Sequence, residues 1–97
     1  MPLKASQKKK LRAQAHHLKP LVTVADKGLS EAVVAEIERA LFDHELIKVK
    51  LRADREQRKA WAGNIADRCQ AELIQAIGQT ACFYKRHPDK PVIDPGK

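Results

Sequence analysis

The sequence predicts an α+β domain with the order α-β-α-β-α-β-β, in which helices cover one face of a mixed four-stranded sheet as a two-layer fold. Three stretches place apolar residues at helical spacing, and four short runs rich in β-branched or aromatic residues have strand character. The first two strands are joined through a helix and should pair in parallel, whereas the last two are joined by a tight turn and should pair antiparallel. This combination makes the sheet mixed.

The first helix is predicted over residues 6–18, with Ser6 as its N-cap and Pro20 closing it, because the residue before a proline avoids helical geometry. Its apolar residues recur on one face, at Leu11, Ala15 and Leu18. A buried strand is then predicted over residues 21–25, which are β-branched and bounded by turn residues.

The second helix is predicted over residues 31–44, with Ser30 as its N-cap. Its core-facing residues are Val34, Ile37 and Leu41. Residues 46–52 then alternate as a strand does, with a core face of Ile47, Val49 and Leu51 and an opposite basic face of Lys48, Lys50 and Arg52.

A third helix is predicted over residues 55–69, because Asp54 and Gln57 form a capping box at its start. Its inward residues are Trp61, Ala62, Ile65 and Cys69. Strands over 73–77 and 81–85 form the closing hairpin. Residues 1–86 are therefore predicted to be a single domain, and residues 87–97, which hold three prolines and no core pattern, a flexible tail.

The composition favours a phosphate-rich binding partner, and the alternative is that the lysine-rich N-terminal segment serves only solubility. The chain has 97 residues, with 19 Lys and Arg against 12 Asp and Glu, for a net charge of +7. We expect a cytoplasmic protein that is not associated with membranes, because neither an export signal nor an apolar stretch of about 18–20 residues is present. A monomer is the default expectation for its oligomeric state. Two cysteines without an export signal indicate free thiols.

The charge is unevenly distributed along the chain. Residues 1–19 contain six basic residues and no acidic one, residues 20–45 have a net charge of −4, and residues 46–97 have +5. A protein polarised in this way presents one basic face to a polyanion. The candidate contacts in its first segment are Lys8, Lys9, Lys10, Arg12 and Lys19.

The loop after the first strand opens into a helix N-terminus, where free amides and the helix dipole favour an anion. Gly28 permits close approach of the backbone and Lys27 adds a charge. The alternative is that Gly28 only shapes the turn between strand and helix.

Enzymatic, metal-binding and cofactor-binding motifs are absent from the sequence, so we expect a protein that is not an enzyme and needs no cofactor. Tyr84 and Arg86 share one side of the last strand, where an exposed ring beside cations would stack on unpaired bases. Packing of Tyr84 in the core is the alternative.

Several blocks of the chain resemble the YhbY family, the stand-alone bacterial form of the chloroplast RNA splicing and ribosome maturation (CRM) domain. The resemblance spans about residues 4–86. The blocks that carry it are His17-Leu18-Lys19-Pro20, Gly28-Leu29-Ser30-Glu31, the stretch from His44 to Lys50, Ile77-Gly78 and Tyr84-Lys85-Arg86.

The resemblance implies a fold similar to the C-terminal domain of translation initiation factor three. It also implies binding to ribosomal RNA in precursors of the large ribosomal subunit, whose maturation the family is thought to assist. In the family, a GxxG loop after the first strand and basic residues of the first helix contact the RNA.

This chain departs from the family pattern in that loop, where Ala25 replaces the first glycine and Asp26 the following lysine. We therefore expect the first helix and the face of Lys48, Lys50 and Arg52 to contribute more to binding. One alternative is a module that docks a basic ribosomal protein on the acidic second helix, at Glu36, Glu38 and Asp43. Another is a general RNA chaperone or splicing-type factor.

Overall fold

The computed structural model describes residues 4–87, and its helices and strands follow the predicted order. They are α1 (Ala5–Ala15), β1 (Pro20–Val24), α2 (Glu31–His44), β2 (Leu46–Leu51), α3 (Arg55–Cys69), β3 (Glu72–Ile77) and β4 (Thr80–Tyr84). Residues 1–3 and 88–97 lie outside the described residues, so the domain span 1–86 and the tail 87–97 stay predictions.

Both ends of α1 differ from the prediction. The helix begins at Ala5 because the side chain of Gln7 accepts a 2.8 Å hydrogen bond from the backbone N–H of Lys4, and Ser6 is not the cap. It ends at Ala15, three residues early, because the N–H of Leu18 donates to the carbonyl of Ala15 at 3.0 Å. Such an i→i+3 bond tightens the last turn and ends regular helix.

The caps predicted for α2 and α3 are confirmed. The hydroxyl of Ser30 accepts from the N–H of Val33 at 3.2 Å, and the carboxyl of Asp54 accepts from the N–H of Gln57 at 2.8 Å. These bonds satisfy amides that the first turn of a helix leaves without a partner.

The sheet has the strand order β1-β2-β4-β3. β1 and β2 are parallel, and β4 is antiparallel to both β2 and β3, so the mixed sheet is confirmed. It follows that β1, β2 and β3 run in the same direction. The segments that follow these three strands, residues 25–30, 52–54 and 78–79, therefore meet at one end of the sheet, which we call the carboxyl end.

The helices lie on both faces of the sheet, so the expectation of helices on one face was wrong. The larger core joins α2 and α3 to one face, through residues that include Ile37, Leu41, Ile47, Val49, Ile65 and Phe83. α1 packs on the opposite face, the α1 side, in a second buried cluster of Leu11, Ala15, Leu46, Ile74, Cys82 and Tyr84. The second face is also buried by a helix because β2 and β4 carry apolar residues on that side as well.

Candidate nucleic-acid interface

The α1 side of the sheet is covered at one end only. Leu46 and its strand partner Tyr84 belong to the cluster buried against α1. Nearer the carboxyl end, a row of residues runs across the strands and lies outside that cluster. Each residue of this row is half-buried or exposed. The pairings Thr23–Lys50, Lys50–Thr80 and Thr80–Ile77 define this uncovered row, which crosses all four strands.

Lys48 and Lys50 stand on the α1 side, as the alternation of β2 predicts. Both are half-buried, and Lys48 lies opposite Cys82 of β4. A half-buried lysine lays its alkyl stem along the sheet and keeps its ammonium group in water. The sheet therefore restricts where these two charges can move, which is how a contact to a phosphate is pre-organised.

A cleft connects the end of α1 to this face. It has a volume of about 390 Å³, and both Lys19 and Lys48 line it. His17, His44 and Leu18 also line this cleft. Two cations that are distant in sequence, Lys19 and Lys48, therefore lie close together beside the uncovered part of the sheet.

α1 adds further cations to the same side. Leu11 and Ala15 are buried and hold the helix against the sheet. The basic residues occupy the remaining surface, with Lys8 and Arg12 half-buried and Lys9 and Lys10 exposed. Helix α1 contains no acidic residue, so nothing within the helix neutralises these charges. We call the set Lys8, Lys9, Lys10, Arg12, Lys19, Lys48 and Lys50 the basic surface.

The loop after β1 needs a glycine at one position only. Gly28 has φ +63°, and its N–H donates to the carbonyl of Ala25 at 2.8 Å in a tight turn. The indole of Trp61 packs beneath it, 3.7 Å from where a Cβ of residue 28 would stand. Among the non-glycine residues of 4–87, positive φ occurs at Glu45 and Gln70, so alanine is accommodated at position 25 without strain.

Lys27 and Arg52 are neighbours in the fold although distant in sequence. The N–H of Arg52 donates to the carbonyl of Val24 at 2.8 Å, which places Arg52 beside the loop that carries Lys27. Both side chains are exposed at the carboxyl end, and so is the carboxyl of Asp26. The loop of this chain therefore presents charges of both signs.

Two of the predicted RNA contacts, Tyr84 and Arg86, lie outside the basic surface. Tyr84 is only 5% exposed and packs in the cluster under α1, so the prediction that it stacks on bases was wrong. Tyr84 lies on the side of β4 opposite to Phe83, as the strand alternation predicts, but α1 covers that side. Arg86 is exposed two residues beyond β4, at the end of the sheet opposite to Lys27.

Three basic residues that were not among the predicted RNA contacts lie at the carboxyl end. They belong to the first half of α3 and are Arg55, Arg58 and Lys59. Their spacing of i, i+3 and i+4, which places side chains on one helical face, was a usable signal.

The described residues show no sign of metal chemistry or of a membrane helix. Between residues 4 and 87, no group of three or more His, Cys, Asp or Glu side chains is arranged to hold a metal ion. Within the same range, no helix is long and apolar enough to cross a membrane. Cys69 and Cys82 are free and buried, and burial raises the pKa of both thiols.

Comparisons with known proteins agree with this architecture. Residues 3–85 match the family model of the CRS1 / YhbY (CRM) domain. A Pseudomonas aeruginosa protein named "Probable RNA-binding protein" is 47% identical over 91% of this chain and 86% of its own length. A Haemophilus influenzae protein named "RNA-binding protein" is 41% identical over 98% of this chain and 97% of its own length.

A solved structure has the same fold. The solution structure of a Staphylococcus aureus protein superposes with a TM-score of 0.83 at 28% identity, covering 96% of this chain and 98% of that chain. The family match and the two relatives cover nearly the whole described domain. The chain therefore belongs to the CRS1/YhbY family of CRM-domain proteins.

Proposed function

We propose that this protein is a non-enzymatic RNA-binding protein that associates with ribosomal RNA in precursors of the large ribosomal subunit and assists its assembly. The observation that carries RNA binding is the basic surface, which joins α1 to the uncovered part of the sheet. Relatives named as RNA-binding proteins support it. The ribosomal partner follows from the family resemblance.

The basic surface suits a folded RNA backbone. Lysine and arginine side chains that approach phosphates release condensed counterions, and this release supplies much of the affinity. The half-buried Lys48 and Lys50 lose little freedom on binding, whereas the exposed Lys9 of α1 adjusts to the path of the backbone.

The charge of α2 orients the molecule on the RNA. Glu36, Glu38 and Asp43 are exposed on a helix that packs on the side of the sheet opposite to α1. A polyanion is attracted to one side and repelled from the other, so the protein approaches RNA with α1 leading.

Salt dependence of the affinity tests RNA binding. If about five or six phosphates are contacted, the logarithm of the association constant falls against the logarithm of salt concentration with a slope of about −4 to −5. Fluorescence anisotropy of a labelled ribosomal RNA fragment, titrated between 50 and 200 mM salt, measures this slope. A flat response would exclude binding through the basic surface.

Crosslinking in cells followed by RNA sequencing tests the identity of the partner. We expect reads concentrated in ribosomal RNA of the large subunit, with crosslinked peptides from α1 and β2. Reads spread over messenger and transfer RNAs would instead support a general RNA chaperone.

A second candidate function uses the acidic side. Phe42 is 56% exposed and lies between the exposed acids Glu38 and Asp43, so α2 offers an apolar anchor within an acidic surface. Such a surface would dock a basic ribosomal protein. In gradient sedimentation of a lysate, co-migration with large-subunit precursors that survives ribonuclease treatment would favour this candidate over RNA binding.

A further inference from the structure

A groove on the other side of the sheet also opens at the carboxyl end. It lies between the first half of α3 and strand β3 and has a volume of about 390 Å³. Ligand pockets commonly measure about 300–1,000 Å³, so a nucleotide-sized group fits. Its apolar wall includes Leu51, Leu73 and Ala76, and its basic rim comprises Arg55, Arg58 and Lys59.

The apolar wall of the groove is accessible. Leu73 is 36% exposed, and Ala76, which pairs with Ala81 of the neighbouring strand, is exposed. One exposed leucine is ordinary on a protein surface. Here, however, the apolar side chains line a concave site whose charged residues are all basic.

The basic rim is partly pre-organised. Arg58 is half-buried, and its Nη1 donates a 2.8 Å hydrogen bond to the carbonyl of Ala53, which holds the guanidinium beside the groove. Arg55 and Lys59 are exposed one helical turn apart. None of the described residues lining the groove is acidic, so the site favours an anion attached to an apolar group.

We propose that this groove binds one unpaired nucleotide of the RNA, a site additional to the basic surface. The base packs against Leu73 and Ala76 with the guanidinium of Arg58 beside it, while Arg55 and Lys59 contact the adjoining phosphate. Unpaired bases are commonly recognised by stacking on side chains or arginine planes, whereas bases of an A-form helix are not available to enter a groove.

A continuous path connects the groove to the basic surface. Thr80 lines the groove and also belongs to the uncovered row on the α1 side, next to Lys50. A single strand that leaves a duplex on the basic surface therefore reaches the groove by crossing the start of β4. This inference rests on the proposed RNA binding and adds to it a preference for duplexes with a single-stranded extension.

The test compares two RNAs and two charge-matched variants. The probes are a hairpin RNA with a single-stranded extension and the same hairpin with a blunt end. The groove variant is Arg55→Gln/Lys59→Gln, and the control is Arg68→Gln/Lys85→Gln, which removes the same charge from exposed residues away from the groove. A third variant, Ala76→Glu, places a negative charge in the groove at an exposed position.

We expect both groove variants to weaken binding of the extended hairpin about tenfold and to leave the blunt hairpin within about twofold, with the control unchanged on both. Equal losses on the two RNAs, or no loss on either, would overturn the groove site while leaving RNA binding intact. Failure of the unaltered protein to bind either RNA would instead overturn the proposed function. Thermal unfolding of each variant confirms that it is folded.

Discussion

The backbone N–H of His87 donates a 2.7 Å hydrogen bond to Oε2 of Glu45, a residue with no exposed surface. The carbonyl of Glu45 also accepts the N–H of Lys85 at 2.9 Å, and the His87 ring lies 4.3 Å from that of Phe42. Glu45 has φ +62°, an uncommon value for a residue with a side chain. One residue between α2 and β2 therefore holds the chain where it leaves β4.

Replacing Glu45 with alanine should lower the free energy of unfolding by about 1–3 kcal/mol, because the amide of His87 would lose its acceptor in a partly buried place. Glu45→Gln keeps an acceptor oxygen and should cost less. Urea denaturation measures both, and hydrogen exchange at the His87 amide should quicken. Glu36→Ala, at an exposed position, is the control, and an equal effect of all three variants would contradict this role.

The two ends of the loop after β1 should respond differently to substitution. Ala25→Gly restores the family pattern but should lower stability by about 0.4–1 kcal/mol, because position 25 does not need positive φ and glycine gains entropy in the unfolded chain. Gly28→Ala should cost about 1–2 kcal/mol, since φ is +63° there. Thermal and urea unfolding measure both, and a stabilising Ala25→Gly would show that the turn is strained.

The cations of α1 should matter more for RNA affinity than the loop cation. Reversing Lys8, Lys9 and Arg12 to glutamate together should reduce affinity far more than Lys27→Ala, because the charges of α1 add to those of β2 whereas Lys27 neighbours Asp26. Anisotropy titrations at fixed salt measure the ranking. The opposite order would make the loop the main site.

A matched pair of single substitutions tests the face of the sheet. Lys50→Gln should weaken RNA binding and reduce the salt slope by about 1, as expected when one phosphate contact is lost. Arg39→Gln removes the same charge from α2, where Arg39 pairs with Asp43 at 3.9 Å, and should leave the affinity unchanged. Equal effects of the two variants would mean that only net charge matters.

Tyr84 should contribute to stability and not to RNA recognition. Tyr84→Phe should leave RNA affinity within about twofold, whereas Tyr84→Ala should lower the free energy of unfolding by about 3–5 kcal/mol, as large-to-small core substitutions do. Loss of RNA binding by a folded Tyr84→Phe protein would show that Tyr84 contacts the RNA.

The two buried thiols make stability depend on alkaline pH. Burial raises the pKa of Cys69 and of Cys82, so thiols in the unfolded chain lose their protons first as the pH rises. The contribution of the two thiols to the free energy of unfolding is complete below the thiol pKa of the unfolded chain, about 8.5. This contribution is lost as the pH rises through the higher pKa values that the thiols have in the folded protein. Urea denaturation at increasing pH should show this loss, and a Cys69→Ala/Cys82→Ala protein should show less of it.

Much of the fold could be predicted because it is encoded locally. Ser30 and Asp54 cap helices with atoms three residues from the amides they bind, and the alternation of β2 separates its core side from its basic side within six residues. The start of α1 was predicted less well, because the side chain of Gln7 reaches back to Lys4 and competes with Ser6 as the cap.

The site could be predicted only in part. The cations of α1 and β2 were identified from charge and spacing, but their convergence on one side depends on where α1 packs. The sequence did not indicate a binding site at Arg55, Arg58 and Lys59, because the groove beside them exists only once β3 lies against α3.

The sequence by itself determined the kinds and order of the elements, the mixed pairing of the strands and the segregation of charge, because hydrophobic period, capping and connection length act over a few residues. Only the tertiary structure decided that α1 covers the second face of the sheet. That packing buries Tyr84, leaves Lys50 in an uncovered row and assembles the groove. These outcomes depend on contacts between segments far apart in the chain, whose burial is settled only when the whole core is assembled.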